Sequence, residues 1–142
     1  MENAIMQNNL QSSLRGGVFT TLNINDEHDA DLLLATQDNE DMKKINDVVG
    51  NVLEVVGLFI KERKVEDTNN DGEVIEYYKH TTILFTKDGE MYVTGSNSFY
   101  MSLDMICAIK GNPSKENPIK IKVSQTDAEI KGHKYLKAVY VK

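Results

Sequence analysis

Residues 48–64 read VVGNVLEVVGLFIKERK, a long run of apolar and β-branched residues with Gly57 near its middle. A glycine inside a strand marks a bulge or a sharp bend. A small closed sheet needs such a bend in its first strand, which must serve both sides of the barrel. The run therefore predicts the first strand of a small β-barrel, curved at Gly57.

Two turn signals divide the residues that follow. The sequence EDTNNDGE of residues 66–73 is turn chemistry throughout, and it separates the first strand from a second at 74–85. Residues 87–90, KDGE, predict a tight hairpin turn into a third strand at 91–94. The first half of the barrel is thus predicted to be three consecutive antiparallel strands.

A helix interrupts the strands after Gly95. Ser96 is placed to cap a helix that continues to about residue 109, with apolar residues at helical spacing. A fourth strand begins at Pro118, and a fifth covers residues 133–141. The predicted fold is mainly β with minor α, and this order is that of a five-stranded OB-fold barrel with a helix between strands 3 and 4.

The N-terminal residues predict two additions to the barrel. Residues 1–16 are rich in Asn, Gln and Ser and predict a flexible arm, whereas residues 17–142 predict a single OB-fold domain. Within that domain, 18–24 predict a short strand and 27–37 a short helix. The arm carries four spaced apolar residues with which it is predicted to dock on a neighbouring subunit: Ile5, Met6, Leu10 and Leu14.

Charge is unevenly distributed along the chain. The formal net charge is −6, yet residues 107–142 carry eight lysines against three acidic residues, a net charge of +5. Such a chain can present one basic face while it stays acidic overall. The single cysteine, Cys107, and the lack of a signal-like or membrane-spanning run predict a cytoplasmic protein.

Five blocks of the sequence, taken in order, carry a resemblance to a known family. They are GGVFTTLNI (16–24), INDVVGNVLEVVGLFI (45–60), GEVIEYYKHTTILFTKDGEMYVTGS (72–96), SFYMSLDMICAIKG (98–111) and PIKIKVSQ (118–125). In order and turn placement the chain resembles single-stranded-DNA-binding proteins of phages and conjugative elements of Gram-positive bacteria. The resemblance implies an OB-fold that binds single strands without strong sequence preference, cooperatively or as an oligomer, in plasmid transfer or phage replication. The chain ends in LKAVYVK instead of the acidic tail of housekeeping members, which favours a simple coating role.

Single-strand binding needs cations for phosphates and aromatic faces for bases. Tyr77 and Tyr78 are adjacent on the second strand, so a regular strand exposes only one of them, and the alternation there does not decide which. The candidate nucleic-acid-binding residues are the aromatic and basic side chains of consecutive barrel elements: Phe59, Lys61, Arg63, Lys64, Tyr77, Tyr78, Lys79, Lys87, Tyr92, Tyr100, Lys120 and Lys122.

The predicted partner is single-stranded DNA, with duplex DNA or RNA bound more weakly, and we expect no membrane contact, cofactor or metal. Residues 67–72, DTNNDG, match the start of a calcium loop, but Tyr78 stands where its closing glutamate belongs. The sequence contains no catalytic constellation, so an enzyme is not expected. Two alternatives are an OB-type module that binds protein or oligosaccharide, and an accessory protein that binds a DNA-handling enzyme through its acidic surface.

Overall fold

One predominantly antiparallel β-sheet with two helices makes up the fold. The computed structural model describes residues 17–127 and 134–142. Within these residues the strands are β1 (Val18–Thr20), β2 (Lys43–Lys44), β3 (Val52–Thr68), β4 (Val74–Thr86), β5 (Met91–Thr94), β6 (Ile119–Asp127) and β7 (Lys134–Tyr140). The helices are α1 (Glu27–Ala35) and α2 (Asn97–Lys110), and short 3-10 turns cover Asn39–Asp41 and Ile45–Val48.

The long strand β3 is the spine of the sheet, whose order is β2-β5-β4-β3-β6-β7. One edge of β3 pairs with β4, and the other edge pairs first with β6 and then with β1. The register shifts between Val55 and Gly57, which confirms the predicted bend. A Cβ at Gly57 would lie 2.6 Å from Leu22 Cδ2, so a side chain at this position would force the buried Leu22 to shift.

The main hydrophobic core lies on the inner face of the sheet, under α2. Phe99, Leu103 and Ile106 are the buried residues of this helix, and they pack against the inward residues of β3, β4, β6 and β7. Ser96 caps α2 as the sequence predicts, because its side chain accepts a hydrogen bond from the Phe99 N–H at 3.1 Å. The helix therefore sits between the third and fourth predicted barrel strands and covers the core.

The edge of β7 that faces away from β6 is contacted by α2, which begins shortly after β5. Among the described residues, β5 and β7 form no ladder with each other. Instead, Ser98 Oγ donates to the Leu136 carbonyl and the Ala138 N–H donates to Ser102 Oγ, both at 2.8 Å. The five predicted strands and their order are confirmed as a mainly β, curled sheet with two helices.

A second, smaller core covers the outer face of the sheet. Leu22, Phe59, Ile83 and Phe85 are buried there, and the partly buried side chains around them include Leu32 and Leu33 of α1. No residue of α1 is completely buried, so this helix covers the outer face only in part. The sheet is thus packed on both sides near its centre.

Element boundaries differ from the sequence prediction at the N-terminal side. The first barrel strand begins at Val52 instead of residue 48, since residues 45–48 form a 3-10 turn, and α1 ends at Ala35. Lys43 and Lys44, which lie before the predicted first barrel strand, form β2 and pair in parallel with β5. The predicted arm of residues 1–16 lies outside the described residues. In the part of the chain that the structure describes, no helix is both long enough and apolar enough to cross a membrane.

Candidate nucleic-acid interface

Beyond the body of the sheet, β3 and β4 continue as a two-stranded hairpin, residues 61–81, which we call the ribbon. These strands pair with each other out to Thr68 and Val74, whereas the ladder with β5 begins only at Thr82. At about 3.3 Å per residue, the ribbon is roughly 25 Å long. Its turn is closed by Asn69, whose side-chain oxygen accepts from the N–H groups of Asp71 and Glu73.

The register of the ladder assigns every ribbon side chain to one of two faces, since directly opposite residues share a face. The outer ribbon face carries the pairs Lys61–Thr81, Arg63–Lys79, Val65–Tyr77 and Asp67–Ile75. The inner ribbon face carries the pairs Glu62–His80, Lys64–Tyr78, Glu66–Glu76 and Thr68–Val74. Inner and outer here continue the two faces of the sheet, with α2 on the inner side.

The basic side chains of the inner ribbon face lie beside carboxylates of the same face. Lys64 Nζ lies 2.9 Å from Glu76 Oε2, and His80 Nε2 lies 3.0 Å from Glu62 Oε2. The His80 ring also stacks on Tyr100 of α2, with a centroid distance of 3.9 Å. The inner face is therefore rich in carboxylates and is attached to α2 at its base.

In contrast, the outer ribbon face is predominantly basic. Lys61, Arg63 and Lys79 are exposed, and none of them forms an ion pair with any described residue. Arg63 and Lys79 stand directly opposite each other, an arrangement of like charges that destabilises a ladder. A bound anion would relieve this repulsion, because it places negative charge between the two cations.

One exposed aromatic ring lies beside these cations, between the Arg63–Lys79 pair and the Asp67–Ile75 pair. Tyr77 is 40% exposed and stands opposite the partly buried Val65, between the Arg63–Lys79 pair and the tip of the ribbon. Arg63 and Lys79 are each two residues from this Val65–Tyr77 pair, about 7 Å along the strand. A positive surface with an exposed ring at this spacing can hold a phosphate and an unstacked base together.

Tyr78 is also exposed, but it belongs to the other face. Its ring is 56% exposed and stands opposite Lys64, whose charge is already paired. The sequence prediction that only one of the two tyrosines would be exposed is wrong, because a two-stranded ribbon has no buried face. The ladder register assigns Tyr77 to the basic face and Tyr78 to the acidic face.

Three further predicted residues, Lys87, Lys120 and Lys122, are exposed at the other end of β3, in what we call the distal lysine patch. Lys87 Nζ lies 3.9 Å from Glu54 Oε2, and Glu54 stands opposite Lys120 in the β3–β6 ladder. About 20 Å of strand separates Val55 from Lys61, at roughly 3.3 Å per residue. The structure therefore does not bring this patch together with the ribbon.

Two predicted base platforms are wrong because their side chains are buried. Phe59 is 7% exposed and belongs to the second core beneath Leu22, while Tyr92 is 7% exposed and belongs to the main core. Tyr100 is half-buried, its ring is stacked on His80, and burial raises the pKa of its hydroxyl. These three aromatic residues do not contribute to the outer ribbon face.

Residues that the sequence did not single out also belong to these surfaces. Val65 supports the ring of Tyr77 from the opposite strand, and Thr81 stands opposite Lys61. Lys137 is exposed on β7 opposite Ser124, on the same outward side as Lys122. The alternation of Tyr135, Lys137 and Val139 could have indicated this outward side of the fifth barrel strand.

No metal or nucleophile site accompanies these surfaces in the described ranges. Within residues 17–127 and 134–142, no group of three or more His, Cys, Asp or Glu side chains could hold a metal ion. Burial raises the pKa of the Cys107 thiol to about 12. A cleft of about 530 Å³ lies between the start of α2 and β7, with Thr94, Asn97 and Tyr135 among its lining residues.

Comparisons of the chain with protein-family models, with curated proteins and with solved structures found no match. A function for this protein must therefore be argued from the geometry and charge of its own surfaces.

Proposed function

We propose that this protein binds single-stranded DNA without strong sequence preference, as a non-enzymatic coating protein on an OB-type barrel. The outer ribbon face is the proposed contact surface. The observation that carries the proposal is the difference between the two ribbon faces. On one face, three cations without ion pairs to described residues lie on the base side of an exposed tyrosine and a single carboxylate, Asp67, on its tip side, whereas the basic side chains of the other face are paired with carboxylates.

In the proposed complex the DNA backbone follows the long axis of the ribbon. One base stacks on Tyr77, and the phosphates beside it are contacted by Arg63 and Lys79, with Lys61 reaching the next phosphate. Arg63 offers a planar guanidinium that can hold a phosphate with two hydrogen bonds or stack on a base. Stacking and phosphate contacts are available to any base, which accounts for a lack of sequence preference.

The location of the ribbon within the fold supports the same proposal. OB barrels bind oligonucleotides on the face of their second and third strands and on the loops that join strands 1–2 and 4–5. On the proposed OB-type barrel, the hairpin of β3 and β4 would be the first of those loops, since it joins the first two of the five long strands. The central part of that face is covered by Leu22 and α1, so the exposed hairpin is the part left for a ligand.

Expected magnitudes follow from the number of contacts. Each phosphate contact on a single strand contributes about −0.7 to the slope of log K against log salt, so three cations give a slope of about −2. Loss of one stacking ring weakens binding by about 1–3 kcal/mol, or roughly 5- to 150-fold. A duplex keeps its bases stacked and denies them to Tyr77, so it should bind more weakly.

The test compares two adjacent tyrosines on opposite faces. Binding of a fluorescein-labelled poly-dT oligonucleotide is measured by anisotropy for the wild type, Tyr77→Ala and Tyr78→Ala. The proposal predicts a loss of roughly 5- to 150-fold for Tyr77→Ala. Tyr78→Ala should stay within about twofold of the wild type, since its face is acidic. Equal losses for the two variants would contradict the assignment of faces, and no binding by the wild type would refute the function.

A second candidate function rests on the acidic cover. Residues 24–42 contain seven acidic residues and no lysine or arginine, and α1 within this segment lies over the outer face of the sheet. Such a surface suits a basic partner protein, such as the nucleic-acid-binding surface of a DNA-handling enzyme. This alternative predicts that the poly-dT titration shows no binding even at low salt.

A further inference from the structure

The side of α2 that faces away from the core carries an uncovered apolar stripe. Met101, Met105 and Ile109 are 62%, 67% and 74% exposed, and their spacing of four residues aligns them along one side of the helix. We call these three residues the α2 stripe. No described residue covers it, and exposed apolar side chains in a row indicate a binding surface more often than scattered ones do.

Few charged side chains lie near the stripe: Asp104 is on α2 itself, and Lys134 lines the same cleft as Met101. Asp104 and Lys110 are the two charged residues of α2, and Lys110 Nζ lies over the ring of Tyr140, 4.8 Å from its centroid. The stripe lies toward the side of the helix on which Ser98 and Ser102 contact β7. An apolar stripe of about two and a half turns, at 3.6 residues per turn, fits an amphipathic segment better than it fits nucleic acid.

Such a segment is present in this chain outside the described residues. Met6, Leu10 and Leu14 have the same four-residue spacing as the α2 stripe, and the residues between them are mostly Asn, Gln and Ser. As a helix, residues 1–16 would span about 24 Å, at about 1.5 Å per residue, against about 21 Å for α2. Two helices with matching stripes can pack along their whole length.

The direction of the chain at Gly17 bears on which copy supplies the segment. The Gly17 carbonyl accepts from the Glu62 N–H, and β1 runs antiparallel to β3, so the chain leaves β1 toward the ribbon. Helix α2 starts beside His80 at the base of the ribbon and runs the other way, ending near Tyr140. At Gly17, the first described residue, the chain therefore points along the ribbon and not along α2 of the same copy.

We propose that residues 1–16 of one copy dock as an amphipathic helix on the α2 stripe of a second copy and link neighbouring copies. This interaction needs no DNA and stands independently of the function proposed above. A segment that returned to the stripe of its own copy would cover the same surface without linking copies. The experiment below separates these two arrangements.

The first measurement is the mass of the 16.0 kDa chain by light scattering over a range of concentrations. The wild type should be oligomeric, and both deletion of residues 1–15 and Met105→Glu should shift it to the monomer. Leu34→Glu is the matched control, because Leu34 is a 61% exposed residue on the other helix. A monomeric wild type, or oligomers that persist in Met105→Glu, would overturn the proposal.

The second measurement identifies the partner of each stripe. A copy with Leu10→Cys is mixed with a copy with Met105→Cys under mild oxidation, and disulfide-linked peptides are identified by mass. The native Cys107 interferes little, since burial raises the pKa of its thiol to about 12. A disulfide between the two different copies supports the proposal. A disulfide that forms only within a chain carrying both substitutions, or no disulfide, contradicts it.

Discussion

Replacing Ser98 and Ser102 together with alanine should loosen the contact between α2 and β7. Ser98 Oγ donates to the Leu136 carbonyl, and Ser102 Oγ accepts from the Ala138 N–H, each at 2.8 Å. Leu136 is 6% exposed and Ala138 is 4% exposed, so water cannot readily replace either hydroxyl. These two bonds occupy the free edge of β7, where a closed barrel would have a further strand.

The expected loss of folding stability follows from two buried backbone groups that lose their hydrogen-bond partners. Each unsatisfied group costs about 1–3 kcal/mol, which gives about 2–4 kcal/mol for the pair when some relaxation of the shared edge is included. Alanine is a better helix former than serine, and this difference offsets the loss of stability by up to about 1 kcal/mol over the two sites. The expected net loss is therefore about 1–3 kcal/mol, a large fraction of a typical stability of 5–15 kcal/mol.

Urea unfolding followed by far-UV circular dichroism measures this loss, with Ser124→Ala as the control. Ser124 is half-buried on β6 and makes no hydrogen bond through its side chain to a described residue, so its variant should stay within about 0.5 kcal/mol of the wild type. Hydrogen exchange at the Ala138 amide should also accelerate in the double variant. An unchanged unfolding midpoint together with unchanged protection of that amide would refute the idea that α2 closes the sheet.

Two other predictions concern the packing of the fold. Gly57→Ala should destabilise the protein by about 1–3 kcal/mol in thermal unfolding, because the new Cβ lies 2.6 Å from Leu22 Cδ2. Gly95→Ala is its control, since a Cβ there meets nothing within 4 Å, and equal melting temperatures for the two variants would contradict the close approach. Cys107 should react with iodoacetamide about a thousandfold more slowly in the folded than in the unfolded protein near neutral pH, because its pKa is raised from 9.0 to about 12. Equal rates would show that the thiol is accessible.

Much of the fold could be predicted from local patterns. The turn at residues 66–73, the hairpin at 87–90 and the cap at Ser96 each have side-chain chemistry that specifies one local structure. Gly57 indicated the bend of the long strand for the same reason. The closing of the sheet was not predictable in this way, because the contact of Ser98 and Ser102 with β7 joins residues more than thirty positions apart.

The candidate site was less predictable, since it depends on what covers each face. Phe59 resembles an exposed platform in sequence, but Leu22 and the α1 leucines cover the outer side of its strand. The sequence did not show which of Tyr77 and Tyr78 lies on the basic face. Both faces of the ribbon are exposed, so apolar and polar residues do not alternate there. Only the ladder register separates the ring beside Arg63 and Lys79 from the ring beside the paired Lys64.

We propose above that the outer ribbon face contacts the phosphates of single-stranded DNA. Two variants, each with three charge reversals, test this most directly. One variant carries Lys61→Glu, Arg63→Glu and Lys79→Glu, and the other replaces the three lysines of the distal lysine patch with glutamate. Both variants change the net charge equally, so a difference between them reports the position of the binding face and not the overall field.

The measurement is poly-dT binding by anisotropy as a function of salt for the wild type and both variants, after circular dichroism has shown that each is folded. For the wild type we predict that the logarithm of the binding constant falls with the logarithm of the salt concentration with a slope of about −2 or steeper, since three cations contact phosphates. We also predict that the ribbon variant loses nearly all binding, while the distal variant keeps most of it. Equal losses for the two variants, or a greater loss for the distal one, would contradict the claim that DNA lies along the ribbon.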